Sequence, residues 1–307
     1  MIDGKALLRS LREILNESST SSYIDEKSSY DYLYDAACEF IRRTACCTTT
    51  QSITTVASQA DYNLNSNFMG LYLQDDRGEK FIVYSDGTTT SQPLLTLYQQ
   101  VIYDADTTTT TRPHEFAIFD DNSNFSQITG TTTSAGAASA GEATLTDSGA
   151  PFANVNDGDV VHNTADGSVG VVLSKTSSSA LVTALFDGTD NDYTSGDAYV
   201  IQPQSRFMLK MVPIPSTAGH TITVYHIERP APVYSDYGIY RIPQEFKMAL
   251  VFYAAWLYKY RDSEPNFGDN YMTYFEREIM KSGYMLNRTL NRRVSRTSFK
   301  SNRERHA

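Results

Sequence analysis

Four aspartates, Asp187, Asp190, Asp192 and Asp197, stand close enough in sequence to share one loop. Gathered carboxylates are the chemistry that holds a hard cation such as calcium. An EF-hand loop, however, alternates its ligands and closes on a bidentate Glu at its last position, and neither feature is present. Turn-forming aspartates between short strands explain the same residues by backbone chemistry alone. The five histidines, His114, His162, His220, His226 and His306, show no paired ligand spacing such as H-x-x-x-H. His226 alternates with Val224 in a strand pattern, which suits a hydrogen-bonded core position. No G-x-S-x-G, P-loop or G-x-G-x-x-G pattern occurs, and nothing pairs a nucleophile with a base. Cys38, Cys46 and Cys47 form an odd set with two adjacent members, neither a disulfide framework nor a tetrahedral metal site. The residues point away from an enzyme and name no cofactor and no metal site.

What remains is contact chemistry. The 307 residues include 21 Tyr against a single Trp, and Tyr is an amphipathic residue suited to interfaces. The segment Ile242 to Leu257 is apolar on almost every side, more than one small domain uses. Phe246, Leu250 and Leu257 fit a buried face, and Ala249, Ala254 and Ala255 leave room for close helix approach. Phe252, Tyr253, Trp256 and the following Tyr260 extend the apolar surface, so they are the expected contacts to a neighbouring subunit.

Charge is unevenly spread over a net −10. Arg288, Arg292, Arg293, Arg296, Lys300, Arg303 and Arg305 face only Glu304 in the last segment, which carries +6 and leaves −16 elsewhere. A basic arm on an acidic body is expected to meet an acidic partner, with Val294 and Phe299 adding apolar contact. DNA binding by so few cations on such a body would be weak and steeply salt-dependent.

The elements follow from periodicity. Leu7, Leu8, Leu11, Ile14 and Leu15 recur at helical spacing behind Asp3 as N-cap, and a longer helix is expected from about Asp25 to Cys46. Phe68 to Leu73 and Lys80 to Ser85 read as a hairpin across Asp75-Asp76-Arg77-Gly78. Leu97 to Tyr103 and Glu115 to Phe119 read as further strands, with Thr107 to Thr111 an exposed connection. From Asp121 to Gly141 a Ser, Thr, Gly and Ala composition reads as a linker. Beyond it, short strands punctuated by Asp157-Gly158, Asp166-Gly167 and Asp187-Gly188 suggest a small all-β module. Phe207 to Val212 and Thr221 to Ile227 read as two strands of one hairpin, and Pro243 opens the apolar helix. A last helix is expected from Asp269.

The expected fold class is therefore α+β: a helical core with an antiparallel β section and an inserted small all-β module. The core takes 1–120 and 205–286, the module with its linker 121–204, and the basic arm 287–307. The opening residues Met1-Ile2-Asp3-Gly4-Lys5 lack a signal-peptide core, and no run is long and apolar enough for a membrane span.

Four stretches stand out: Tyr30 to Ala37 followed by Thr48-Thr49-Thr50-Gln51; Phe207 to Pro215 with Thr221 to Tyr225; Ile242-Pro243-Gln244-Glu245-Phe246; and Tyr274-Phe275-Glu276-Arg277. In their order and texture the chain resembles the head-to-tail adaptor (connector) proteins of tailed bacteriophages. It implies a structural virion protein, made in the host cytoplasm and placed at the portal vertex. Copies would form a homo-oligomeric ring, commonly a dodecamer, joining the portal protein to a tail or nozzle protein. DNA would pass through the ring without sequence-specific binding, which suits an acidic body. Carried over, Arg288, Arg292, Arg293, Arg296, Phe299, Lys300 and Arg303 would clasp the portal. The alternative is a tail fibre or capsid decoration protein that binds carbohydrate, or another structural protein, through the module, with Phe186, Tyr193 and Tyr199 stacking on sugars.

Overall fold

The structure is a computed structural model that describes residues 2–17, 25–72, 82–88, 96–97, 109–110, 112–120, 127–139, 141–235, 238–261 and 268–282. In chain order, β1 (Ile2–Asp3) leads into α1 (Gly4–Leu15) and α2 (Glu26–Thr44). Short strands follow: β2 (Thr48–Thr54), β3 (Asp61–Asn63), β4 (Phe68–Leu71), β5 (Ile82–Ser85), β6 (Thr96–Leu97), β7 (Thr109–Thr110) and β8 (Glu115–Asp120). Next come β9 (Ile128–Thr131), β10 (Ala143–Thr146), β11 (Val160–Asn163), β12 (Ser168–Ser177), β13 (Ala180–Phe186) and β14 (Ala198–Gln202). The chain closes with β15 (Phe207–Val212), β16 (Ile214–Pro215), β17 (Thr221–Glu228), β18 (Ile239–Tyr240), α3 (Lys247–Arg261) and α4 (268–282). Two compact units result, Met1–Thr44 with Asp236–Ala307, and Ala45–Ser235.

In the first unit, the Asp3 carboxylate accepts from the Ala6 N–H at 2.7 Å and fixes the start of α1. The helix ends at Asn16, whose left-handed φ of 57° turns its N–H back onto the last carbonyls. Leu7, Leu8, Leu11 and Leu15 form its buried stripe, and α2 buries Tyr30, Leu33, Ala37, Phe40 and Ile41. On α3 the small residues Ala249, Ala254 and Ala255 are fully buried beside Leu250 and Val251, so helix backbones approach closely there. Phe40 of α2 meets Phe246, just before α3, with ring centroids 5.3 Å apart.

The second unit holds two hydrophobic cores. One involves two sheets, ordered β3-β15-β8-β6 and β2-β17-β4 with β5 also on β17, and includes Tyr62, Phe68, Tyr84, Phe116, Met211 and Val224. The other belongs to a curled six-stranded half-barrel, β10-β13-β12-β11-β14-β9, and includes Phe152, Val161, Leu181, Tyr193 and Tyr199. Gly158 (φ 93°) and Gly167 (φ 74°) take the left-handed turns expected of Asp-Gly, whereas at Asp187-Gly188 the positive φ of 65° falls on Asp187.

The expected helical core with a small β module is overturned. The described residues are mostly antiparallel sheet, with four helices, and the half-barrel is the largest sheet rather than a decoration. The physical reason lies in how the two structures signal themselves. A helix shows its stripe within one segment, while several pairings here, such as β2 with β17 and β9 with β14, join short strands far apart in sequence. Phe207–Val212 and Thr221–Glu228 do not pair as a hairpin: β15 and β17 belong to different sheets. β4 and β5 both pair with β17, at successive stretches, and not with each other. Thr109–Thr110 pairs in parallel with β16 instead of standing as a plain connection, and the segment read as linker contributes β9. The Asp75 to Gly78 turn and the strand beyond Leu97 lie outside the described residues.

Candidate functional site

Two places gather side chains into an arrangement with a use. The first is the α3 and α4 pair. Phe252 packs on Tyr274 at 5.3 Å, and Tyr253 packs on Phe275 at 4.8 Å. Tyr253, Trp256 and Tyr260 continue a row along α3 at 5.3 and 5.8 Å. Arg43 of α2 ties α4 to α2. Its guanidinium contacts Glu39 and Glu276 at 2.5 Å each and lies 5.5 Å from the Phe275 centroid. Burial alone would raise Glu39, but its bonds to Arg43 and Arg42 outweigh this and hold the carboxyl below its ordinary value.

The four residues expected at a subunit contact divide accordingly. Phe252, Tyr253 and Trp256 are half-buried against neighbours in the same chain, and Tyr260 is 65% exposed. Tyr274 at 43% and Met280 at 67% add apolar surface on α4, with Arg277 over the Tyr274 ring at 5.7 Å. Tyr274 stood among the resemblance-bearing residues, but its contact with Phe252 depends on a helix crossing that spacing does not reveal. Arg288, Arg292, Arg293, Arg296, Phe299, Lys300 and Arg303 lie outside the described residues.

The second place is a polar joint where the half-barrel meets the rest of its unit. Asp159 is 2% exposed and accepts from the Ser66 hydroxyl at 2.6 Å, the Asn156 N–H at 2.9 Å and the Gln204 N–H at 3.2 Å. Gln204 in turn accepts from Arg229 at 2.8 Å and donates to Asp157 O at 2.9 Å. Burial pushes the Asp159 carboxyl above its ordinary value, and the three donors pull it only part of the way back. Beside this network lies a cleft of about 460 Å³, edged by Asn63, Asn65, Asn154, Lys175 and Arg206 over Leu64, Ile128 and Ile201. Nothing in the sequence marked this joint, because Ser66 and Asp159 are 93 residues apart.

The aspartate loop has a different occupation. Asn163 is fully buried, and its amide N–H₂ donates to Asp166 at 2.8 Å, to Asp192 O at 3.0 Å and to Asp197 at 3.1 Å. Asp197 also accepts from the Thr194 N–H at 2.7 Å, and Asp190 from the Asn191 N–H at 2.9 Å. An amide thus sits among these oxygens, and among the described residues no group of three or more His, Cys, Asp and Glu is placed to hold a metal. Partial burial and the nearby charges of Asp197, Asp190 and Asp192 raise Asp166.

His226 is fully buried against the Phe68 ring at 5.4 Å, and burial lowers its pKa below the ordinary value. Tyr193 and Tyr199 are each 1% exposed, within the half-barrel core. Phe186 packs on Tyr234 at 5.0 Å. Neither tyrosine offers a face on which a sugar stacks.

No protein-family model matches the chain, and no curated protein matches it significantly.

Proposed function

We propose that this chain is a structural head-to-tail adaptor of a tailed bacteriophage particle, closing with its own copies into a ring between portal and tail. The observation that carries the reading is the aromatic row on α3 and α4. Tyr260 and Tyr274 continue a packed aromatic series outward into solvent, and Met280 adds exposed apolar surface on α4. Apolar surface that is anchored from behind and open in front is the usual form of a contact patch. The sequence resemblance supports the same assignment, and a net −10 chain suits a channel that DNA must traverse without being held. The partners are the portal protein, a tail or nozzle protein, and further copies of the chain.

The test is to mix purified chain with portal rings and follow co-sedimentation, then to image the product. The expected result is a ring of copies seated on the portal. Substituting Tyr260→Ala should leave the fold intact and weaken ring closure. Failure to co-migrate with portal rings at any ratio would refute the assignment.

A further inference from the structure

Among the described residues β2 ends its sheet, with β17 as its strand neighbour there. Thr54 stands opposite Thr221, and Thr48 opposite Ile227. The bonds at the two ends fix which residues face β17. The Thr55 N–H donates to His220 O at 2.8 Å, and the Glu228 N–H donates to Cys47 O at 3.0 Å. Bonded positions alternate in an antiparallel ladder. Thr49, Gln51 and Ile53 therefore turn their amides and carbonyls toward β17, and Thr48, Thr50, Ser52 and Thr54 turn theirs away from the sheet. The side chains of those same four residues are the exposed ones. Gln51 is fixed on the other face, donating to Asn63 O at 3.1 Å and accepting from the Asn65 N–H at 3.0 Å.

An open row of backbone donors and acceptors is a template for another strand, and proteins normally guard it with Lys, Pro or a bulge. Thr48–Thr54 contains no charged residue and no Pro, and its register with β17 runs without a shift. The chain carries net −10, so two copies repel over much of their surface. Along this uncharged strand no like charges would face each other between two copies.

We propose that β2 pairs antiparallel with β2 of a second copy, about a twofold axis at Gln51. In that register Thr48 faces Thr54 of the second copy, and Thr50 faces its Ser52. Every outward residue then meets an outward residue, so a bonded pair forms at all four positions. Thr–Thr and Thr–Ser neighbours on the exposed face suit cross-strand pairing. A slip by one residue sets inward-bonded positions against outward ones and loses the ladder. The contact is isologous, uses one strand of the second unit, and does not rest on the adaptor reading.

Sedimentation across a concentration series, with hydrogen exchange of the 47–55 segment, tests this. The expected mass rises from 34.3 kDa toward twice that value, and exchange at Thr50 and Ser52 slows by about tenfold or more in the pair. Ser52→Pro removes an amide that the sheet with β17 does not use, so the fold persists and the pair is lost. Ser52→Lys places two cations near the axis and has the same result. A mass of one chain at every concentration, with unprotected Thr50 and Ser52, overturns the proposal. So does a dimer that survives both substitutions.

Discussion

Asp159→Ala removes the acceptor around which the polar joint is organised. Two backbone donors, the N–H groups of Asn156 and Gln204, lose their partner along with the Ser66 hydroxyl. A buried donor left unpaired costs about 1–3 kcal/mol. Both residues are half-buried, so each falls near the lower end, and release of a desolvated carboxylate offsets part of the loss. The expected destabilisation is about 1–3 kcal/mol, and Asp159→Asn, which keeps one carbonyl acceptor, should lose about 1 kcal/mol. The pH dependence separates the two components. Because burial raises the folded pKa above the ordinary 3.8, the folded state binds the proton more readily than the unfolded one. Relative to Asp159→Asn, the wild type then holds its full margin below pH 3.8, the unfolded value. It loses that margin as pH rises through the folded pKa, and the difference is flat above it. Urea unfolding at several pH values, with hydrogen exchange at Asn156 and Gln204, measures both. Unchanged exchange at those amides, with Asp159→Ala within about 0.3 kcal/mol of wild type, would refute the reasoning.

Gly170→Ala builds a Cβ that would lie 1.7 Å from Ala184 O, a backbone atom of the neighbouring strand. The half-barrel should lose about 3 kcal/mol or more, read as loss of the cooperative transition of that sheet. Arg43→Ala breaks the contacts to Glu39 and Glu276 and the ring contact to Phe275. With the Arg43 side chain 31% exposed, the expected loss is about 1 kcal/mol, seen in the melting of the helical unit. Tyr193→Phe removes the hydroxyl paired with Thr183 at 3.1 Å and should destabilise the half-barrel by about 1 kcal/mol without unfolding it.

Local structure was readable wherever one segment carried its own signal. The Leu stripe behind Asp3 marks α1; Thr221 to Ile227 reads as a strand from its alternation, and Phe207 to Val212 from its apolar residues. Partnership was not readable. β3 has three residues and β6 two, too few for a period, and β9, with Ile128 as its one apolar residue, hides in a Ser, Thr, Gly and Ala segment. The weight given to helices came from α2 and α3, whose patterns are long, while sheet order depends on pairings that sequence spacing does not encode. The same limit hid the site. Tyr260 could be named from its place in an apolar run, whereas Asp159 carried no signal of a site until the chain brought Ser66 and Gln204 to it.

Asp120, the last residue of β8, stands directly opposite Phe207, the first of β15. The half-barrel therefore occupies the position where a two-strand ribbon would ordinarily make its bend. Its own first and last strands, β9 and β14, are also neighbours, with Ile128 opposite Ile201. A graft whose entry and exit lie side by side can be exchanged for another sequence, or trimmed to a few residues, while the host ribbon keeps its pairing. Ribbon and half-barrel thus share a single seam, at Asp120 and Phe207.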